Sequence, residues 1–328
     1  MPVSPLALND RFLPAGLAIV CLCSGWGANI YATQAMILVI VAFCALCFSI
    51  GDWILSVLGA YMAIWYTVLY ATGLAAPAII AESITLFGYG LIIYILVRFG
   101  RTSTETYLDT ITTAAVLLSI LGLVGYFTGR PAVATLGNQN FLGAFLAVAA
   151  LACFRKKRGP FLVLILPALW VCHTSTAVAA FCFGLGFIAW RWKGAVLSII
   201  PGAVYFFFID GHTFAEVERL AFWRNAWDYL SASWWTVIFG FGPGIPWNPG
   251  NGMLHSEPVN LFWNLGAAGV VLAALYIWRA TRAESDRCLT AMFLAVLVDG
   301  IGNHIFHTIP TAMLSIFVFA LNDRQEEV

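Results

Sequence analysis

Residues 79–130 read "IIAESITLFGYGLIIYILVRFGRTSTETYLDTITTAAVLLSILGLVGYFTGR": two apolar runs, 79–97 and 108–127, with Arg98 and Arg101 between them and Arg130 after the second. Each run is close to the ~20 residues an α-helix needs to cross the hydrocarbon of a bilayer. The arginines fall in the connections and not in the runs, as membrane insertion requires. The same alternation continues on both sides. Further spans are expected at 13–30, 35–50, 53–72, 138–154, 160–173, 175–190, 194–209, 258–278, 288–303 and 306–322, which makes about twelve. Those at 160–173, 175–190 and the last pair are short enough to be broken or re-entrant.

Composition supports this reading. Hydrophobic residues make up 61% of the 328 and charged residues only 10%, against roughly 25% charged in soluble domains. The fold class is therefore an all-α polytopic integral membrane protein, with residues 1–328 as a single membrane domain. The formal net charge of +0 by itself says nothing about partners, so the distribution of charge is read instead; no nucleic-acid partner is expected. The first span ends in "GWGANIY", which offers no small-residue cleavage site, so an uncleaved first helix is expected.

Orientation follows from the Lys and Arg positions. In the twelve-span layout Arg11, Arg98, Arg101, the run Arg155-Lys156-Lys157-Arg158, Arg191, Lys193, Arg279, Arg282, Arg287 and Arg324 share one face, thirteen of the sixteen basic residues. Basic loops face the cytoplasm, so both termini are expected there. The longest loop, 210–257, then lies outside together with the remaining three cations, Arg130, Arg219 and Arg224. The topology rule gives those three no reason to be outside.

Of the eight cysteines, Cys21, Cys23, Cys44, Cys47, Cys153, Cys172 and Cys182 lie in or at the ends of apolar spans and Cys288 near the inner face. None lies in the large loop, and the C-x-x-C at 44–47 has no His or basic neighbour. Packing is their expected role, without disulfides.

The large loop opens with "TFAEVERLAFWRNAWDYLSASWW". Leu220, Trp223, Trp227 and Leu230 fall on one stripe at helical spacing, which reads as an amphipathic helix on the membrane surface with its tryptophans at headgroup level. Arg219 and Arg224 flank the stripe; as an ordinary solvated face they would pair with Glu216 and Asp228. "FGFGPGIPWNPGNGM" follows at 239–253, a series of turns by its Gly, Pro and Asn content. His255 and Glu257 then precede Pro258, which suits the first turn of the next span. Gly266 and Gly269 in that span read as a close helix-packing face.

The stretch "LHSEPVNLFWNLGAAG", residues 254–269, resembles the signature of the O-antigen ligase family of bacterial membrane glycosyltransferases: His, Ser, nine residues, Gly, two residues, Gly. "TLGNQNFLGAFLA" at 135–147 is similar to that family's Gly-Asn-x-Asn segment, and "RLAFWRNAWDYL" with "IFGFGPG" to its arginine-led surface helix and glycine-rich turn. The likeness covers about 130–275. The chain departs from the family where a Ser-Arg-small sequence is usual: here Ser175 is followed by Thr176.

The resemblance implies a donor glycan on undecaprenyl diphosphate, with lipid A-core, a growing polysaccharide or a protein as acceptor. It implies residence in the bacterial inner membrane with the 210–257 loop periplasmic, and chemistry without a cofactor. Two phosphates at a membrane surface call for cations that stay charged and bind bidentately. Arg219 is the family-matched clamp, with Arg224 and Arg130 as further candidates. His255 is the expected base or acceptor-positioning group, Glu257 its orienting partner, and Asn138 and Asn140 further substrate contacts. No metal is expected, because the first outer loop, "YATQ", lacks a carboxylate.

Asp299, His304 and His307 in "DGIGNHIFH" form a second polar cluster near an outer span end, and intramembrane ionisable residues are functional candidates by default. A polymerase or protein O-oligosaccharyltransferase of the same superfamily shares most of these features. A flippase or transporter of lipid-linked saccharides would instead need midplane polar residues and internal repeats, and a non-catalytic relative would account for Thr176.

Overall fold

The computed structural model describes residues 53–73, 77–155, 158–204, 215–243, 256–282, 286–303 and 309–324. The expected spans at 13–30 and 35–50, and most of the turn segment at 239–253, lie outside these residues. Among the described residues every regular element is helical. The α-helices are α1 (Trp53–Thr72), α2 (Pro77–Phe99), α3 (Thr104–Phe127), α4 (Gln139–Ala152), α5 (Leu162–Val171), α6 (Ser175–Leu197) and α7 (Ile199–Val204). The series continues with α8 (Ala215–Ser231), α9 (Trp234–Phe239), α10 (Glu257–Arg282), α11 (Arg287–Gly302) and α12 (Ile309–Asp323). Four of them hold a stretch long and apolar enough to cross a membrane: Trp53–Tyr70, Thr104–Phe127, Ser175–Leu197 and Glu257–Arg282.

Large apolar side chains stay exposed along these helices. Phe127 is 80% exposed, Val163 76% and Ile64 63%. Apolar surface on this scale is a liability in water and the normal state in lipid.

Two compact units divide the chain. One takes 101–221, 254–258 and 280–328. At its centre lies α4, where Leu142–Ala144 and Leu146–Ala152 are all buried. A helix that is apolar all round belongs inside a bundle, and this one is rich in alanine, which lets its neighbours come close. A Cβ on Gly143 would stand 3.1 Å from both Ala177 and Thr174. Around it pack α3, α5, α6, α11 and α12.

One end of this unit is held by charge. Arg158, 6% exposed, donates from Nε to Asp109 Oδ1 at 2.7 Å, from NH2 to Glu105 Oε2 at 2.7 Å and from NH1 to the Arg155 carbonyl at 2.9 Å. Arg155 Nε lies 3.1 Å from both Glu105 and Asp286, and Arg324 reaches the Thr102 carbonyl. Burial pushes the Arg158 guanidinium down, but the hydrogen bonds and charges of Glu105 and Asp109 outweigh it, and its pKa is raised. At the other end Thr174 meets the start of α4, Cys172 the Ala132 carbonyl and Asn303 the Thr176 hydroxyl. Arg101, Arg155, Arg158, Arg287 and Arg324 thus gather at one end of the unit. Arg130 belongs to the opposite one.

Helix α6 is not continuous. Trp190 (φ −133°, ψ 24°) and Arg191 (φ 54°, ψ −140°) leave helical geometry, and Gly186 and Gly194 then meet backbone to backbone. The break falls where the sequence places the end of the 175–190 span, and only glycines allow the returning chain to pack so tightly.

The other unit takes 1–100, 222–253 and 259–279. Met62, Tyr66 and Leu69 of α1 and Ile80 and Ile84 of α2 are all at most 2% exposed. The Tyr66 hydroxyl finds Ser83 Oγ at 2.9 Å, which satisfies a polar atom that the apolar contact would otherwise strand.

Candidate functional site

The amphipathic reading of 215–231 holds as a helix, α8, but the stripe does not stay together. Ala226 and Leu230 are buried, while Leu220 and Trp227 are more than half exposed. Trp227 stacks on Phe262 at a centroid distance of 6.0 Å. Arg224 is exposed on this helix; Arg219 lies one turn earlier in the same helix.

After α8 the chain makes the short α9, where Trp234, Trp235 and Phe239 stack in sequence, and then the glycine turn. Gly240 (φ +76°) and Gly242 (φ +104°) both occupy the left-handed half of conformational space. A Cβ on Gly242 would press on Leu69 at 2.9 Å and Trp65 at 3.1 Å. Both glycines are therefore required, by backbone angle and by close approach, Gly242 to α1 and Gly240 to the backbone of Asn264 and Leu265.

This turn docks into a break in α10. The sequence reads 258–278 as one uninterrupted span, but Gly266 has φ 60° and ψ −164°, so the helix stops at Leu265 and restarts beyond it. The glycine pair does provide close packing, as expected of it, yet Gly266 does so by leaving the helix. The position its Cβ would take is occupied by the Ile238 carbonyl and the Gly240 amide.

A helix broken in apolar surroundings must have its freed backbone groups satisfied. Here the Trp263 carbonyl accepts from Phe241 N at 2.8 Å and the Asn264 carbonyl from Gly242 N at 2.9 Å. The Tyr61 hydroxyl lies 2.9 Å from the Leu265 carbonyl and 2.9 Å from the Phe239 carbonyl. Phe241 packs on Trp263 at 4.2 Å. The result is a rigid knot of α1, the turn and the half-helix that begins with Glu257. Asn264 Oδ1 is buried there without a hydrogen-bond partner among the described residues.

Tyr61→Phe tests this knot. The variant leaves two carbonyls sharing one lost donor, and a drop in folding stability of about 1–2 kcal/mol is expected, read as a lower unfolding midpoint in detergent.

The sequence candidates are distributed as follows. His255 lies outside the described residues. Glu257 opens α10, partly exposed, beside Ser256 at 2% exposure. Asn138 caps α4, its side chain accepting from Asn140 N at 2.7 Å. The Thr174 hydroxyl is 3.3 Å from the Gln139 carbonyl and 3.5 Å from Asn140 Oδ1. These asparagines therefore hold the start of α4, with Asn138 half exposed. Arg130 is exposed, its amide bonded to the Gly125 carbonyl at 2.9 Å. Asn138, Asn140 and Arg130 belong to one compact unit and Arg224 to the other.

Thr176, where the arginine of the resembled family is missing, faces inward: its Oγ1 accepts from Asn303 Nδ2 at 2.7 Å. An arginine here would need the space that Asn303 and Gly302 fill. Local sequence gives one hint of Tyr61, as a phenol in an apolar span that must find a partner; the identity of that partner, 178 residues away, has no local trace. No cluster of three or more His, Cys, Asp or Glu able to hold a metal occurs among the described residues.

No protein-family model, no curated protein and no solved structure matches the chain.

Proposed function

We propose that this chain is a twelve-span glycosyltransferase of the bacterial inner membrane, with both termini cytoplasmic and 210–257 periplasmic. It moves a saccharide from undecaprenyl diphosphate to an acceptor in the manner of an O-antigen ligase. The observation that carries the reading is the docking of the glycine turn into the break at Gly266. It fixes a short half-helix, 257–265, whose first residues follow directly on His255.

The start of a half-helix is a positive dipole end, which favours an anionic group such as a diphosphate. The resemblance assigns the diphosphate's cations to Arg219, with Arg224 and Arg130 as further candidates, since arginine stays charged and binds phosphate bidentately. Neutralised diphosphate is a competent leaving group, so the protein's remaining task is to hold an acceptor hydroxyl and take its proton, the role assigned to His255.

Purified protein mixed with a lipid-linked oligosaccharide and, separately, lipid A-core, polysaccharide and protein acceptors is expected to transfer the glycan to one of the three. Absence of transfer to all of them overturns the reading. A transporter of lipid-linked saccharide is the second reading, favoured by the broken α10 and the buried Asp299, since discontinuous helices and intramembrane carboxyls recur in transporters. Movement of labelled lipid-linked glycan across proteoliposomes, without transfer, would select it.

A further inference from the structure

The break in α6 is the tip of a helical hairpin, and that tip reads Trp190-Arg191-Trp192-Lys193. Gly194 meets Gly186 just beyond it, and a Cβ on Gly202 would stand 3.3 Å from Ala179. The returning limb, 192–204, therefore runs antiparallel along 175–190. In the first limb a Cβ on Gly184 would stand 3.1 Å from the Ala291 carbonyl of α11, and Thr176 meets Asn303 at the far end of α11. Helix α11 begins beside Asp286, the partner of Arg155. The hairpin tip thus points toward the end of the unit where the basic residues gather.

All four tip residues are exposed, Trp190 by 69% and Trp192 by 49%. Arg191 has φ 54° and ψ −140°, a conformation that suits glycine and strains other residues. Glycine would serve this turn better, so the arginine stands there against the preference of its backbone and presents its side chain outward. Beyond the tip Val196, Leu197, Ile199 and Ile200 are each more than half exposed. Such a succession of bare apolar side chains belongs in hydrocarbon. Cations one turn from that hydrocarbon, with a tryptophan beside each, stand at the level of lipid headgroups.

We propose that Trp190, Arg191, Trp192 and Lys193 form a headgroup site for an anionic phospholipid. The Arg191 fork and the Lys193 ammonium suit a phosphate carrying net negative charge, whereas a zwitterionic headgroup brings a cation of its own that they repel. The acyl chains lie along the exposed face of Val196 and Leu197. Trp192 is held edge-on against Phe187 at a centroid distance of 5.4 Å, which orients the tip in advance. Arg158 at the same end is unsuited to this task, being 6% exposed and bonded to Glu105 and Asp109. A purely topological role for the tip cations would give them no advantage over other exposed ones such as Arg101 and Arg287. This inference does not rest on the transferase reading and holds for a transporter equally.

The test titrates the full-length protein in detergent with phosphatidylglycerol or phosphatidylcholine as mixed micelles at fixed ionic strength, and follows the unfolding midpoint. Phosphatidylglycerol is expected to raise the midpoint saturably and phosphatidylcholine to leave it nearly unmoved. In Arg191→Gln/Lys193→Gln the half-saturating phosphatidylglycerol concentration should rise about thirtyfold, from about fivefold for each cation lost at a membrane surface. The Arg101→Gln/Arg287→Gln pair removes two exposed cations from the same end and should keep the wild-type value. Equal losses in the two double variants mean diffuse charge and overturn the site, as does a phosphatidylcholine response equal to that of phosphatidylglycerol. Inorganic phosphate at the same concentration should produce no shift; a shift equal to the lipid's overturns the lipid assignment. Arg191→Gly keeps the test independent of folding, because it relieves the positive φ: its midpoint without lipid should match or exceed the wild type while its phosphatidylglycerol response weakens. An undiminished response in that variant overturns the site.

Discussion

Gly266→Ala is expected to lower folding stability by about 3–5 kcal/mol, a large part of the 5–15 kcal/mol that holds a typical domain together. Two costs add. The backbone at φ 60° and ψ −164° lies in a region that essentially only glycine occupies, and forcing another residue there costs about 1–3 kcal/mol. The new methyl group would also overlap the Ile238 carbonyl and the Gly240 amide, so the turn must withdraw. That loosens the bonds from Phe241 and Gly242 to the Trp263 and Asn264 carbonyls, each worth about 0.5–1.5 kcal/mol. Gly159→Ala is the control, since it has no positive φ and nothing within 4 Å of the new methyl. Unfolding midpoints of both variants in one detergent check the expectation. An unchanged Gly266→Ala midpoint would mean that α10 runs straight through residue 266.

The contrast between these glycines explains what could be read in the sequence. Helix positions are written locally, in apolar run length and in charges that cannot enter a bilayer. The runs at 53–72, 79–97, 108–127 and 288–303 accordingly return as α1, α2, α3 and α11 with ends displaced by at most four residues. The break in α6 was legible as well, because Arg191 and Lys193 mark it. Gly266 carries no such mark: a lone glycine in an apolar span looks like a packing contact, and the reason for the break lies in the backbone of residues 238–242.

The candidate site divides in the same way. Asn138, before an apolar run, has the form of a helix cap, and the structure uses it as one. Asp299 was visible as a carboxyl in an apolar span, but its neighbours Thr176, Thr311 and Ser315 come from two other helices, and no spacing rule links them. The side-chain stripe of α8 failed for a related reason. A period of 3.6 identifies a helix with an apolar face, but Leu220 and Trp227 remain exposed while Ala226 and Leu230 are buried. A surface helix divides its apolar residues between protein and lipid, and hydrophobicity alone does not distinguish the two.

His255→Ala is expected to reduce glycan transfer about 10²- to 10⁴-fold, the range that a positioned general base supplies, while leaving the unfolding midpoint near that of the wild type. The acceptor hydroxyl must lose its proton as the bond to the sugar forms, and neutral imidazole is suited to take it near neutral pH. The sign of the pH dependence follows from this. Transfer by the wild type should rise as the pH climbs through the ordinary histidine range near 6.5, because only the unprotonated ring can act, and the variant should lose that limb. Arg219→Lys separates the other half of the mechanism. It keeps the charge but loses the planar fork suited to two phosphate oxygens, so under the proposed mechanism the donor KM should rise with the pH limb intact. Full activity in His255→Ala would remove this residue from the chemistry. A pH limb that persisted in a weakened variant would place the titrating group elsewhere and leave His255 as an acceptor-positioning residue.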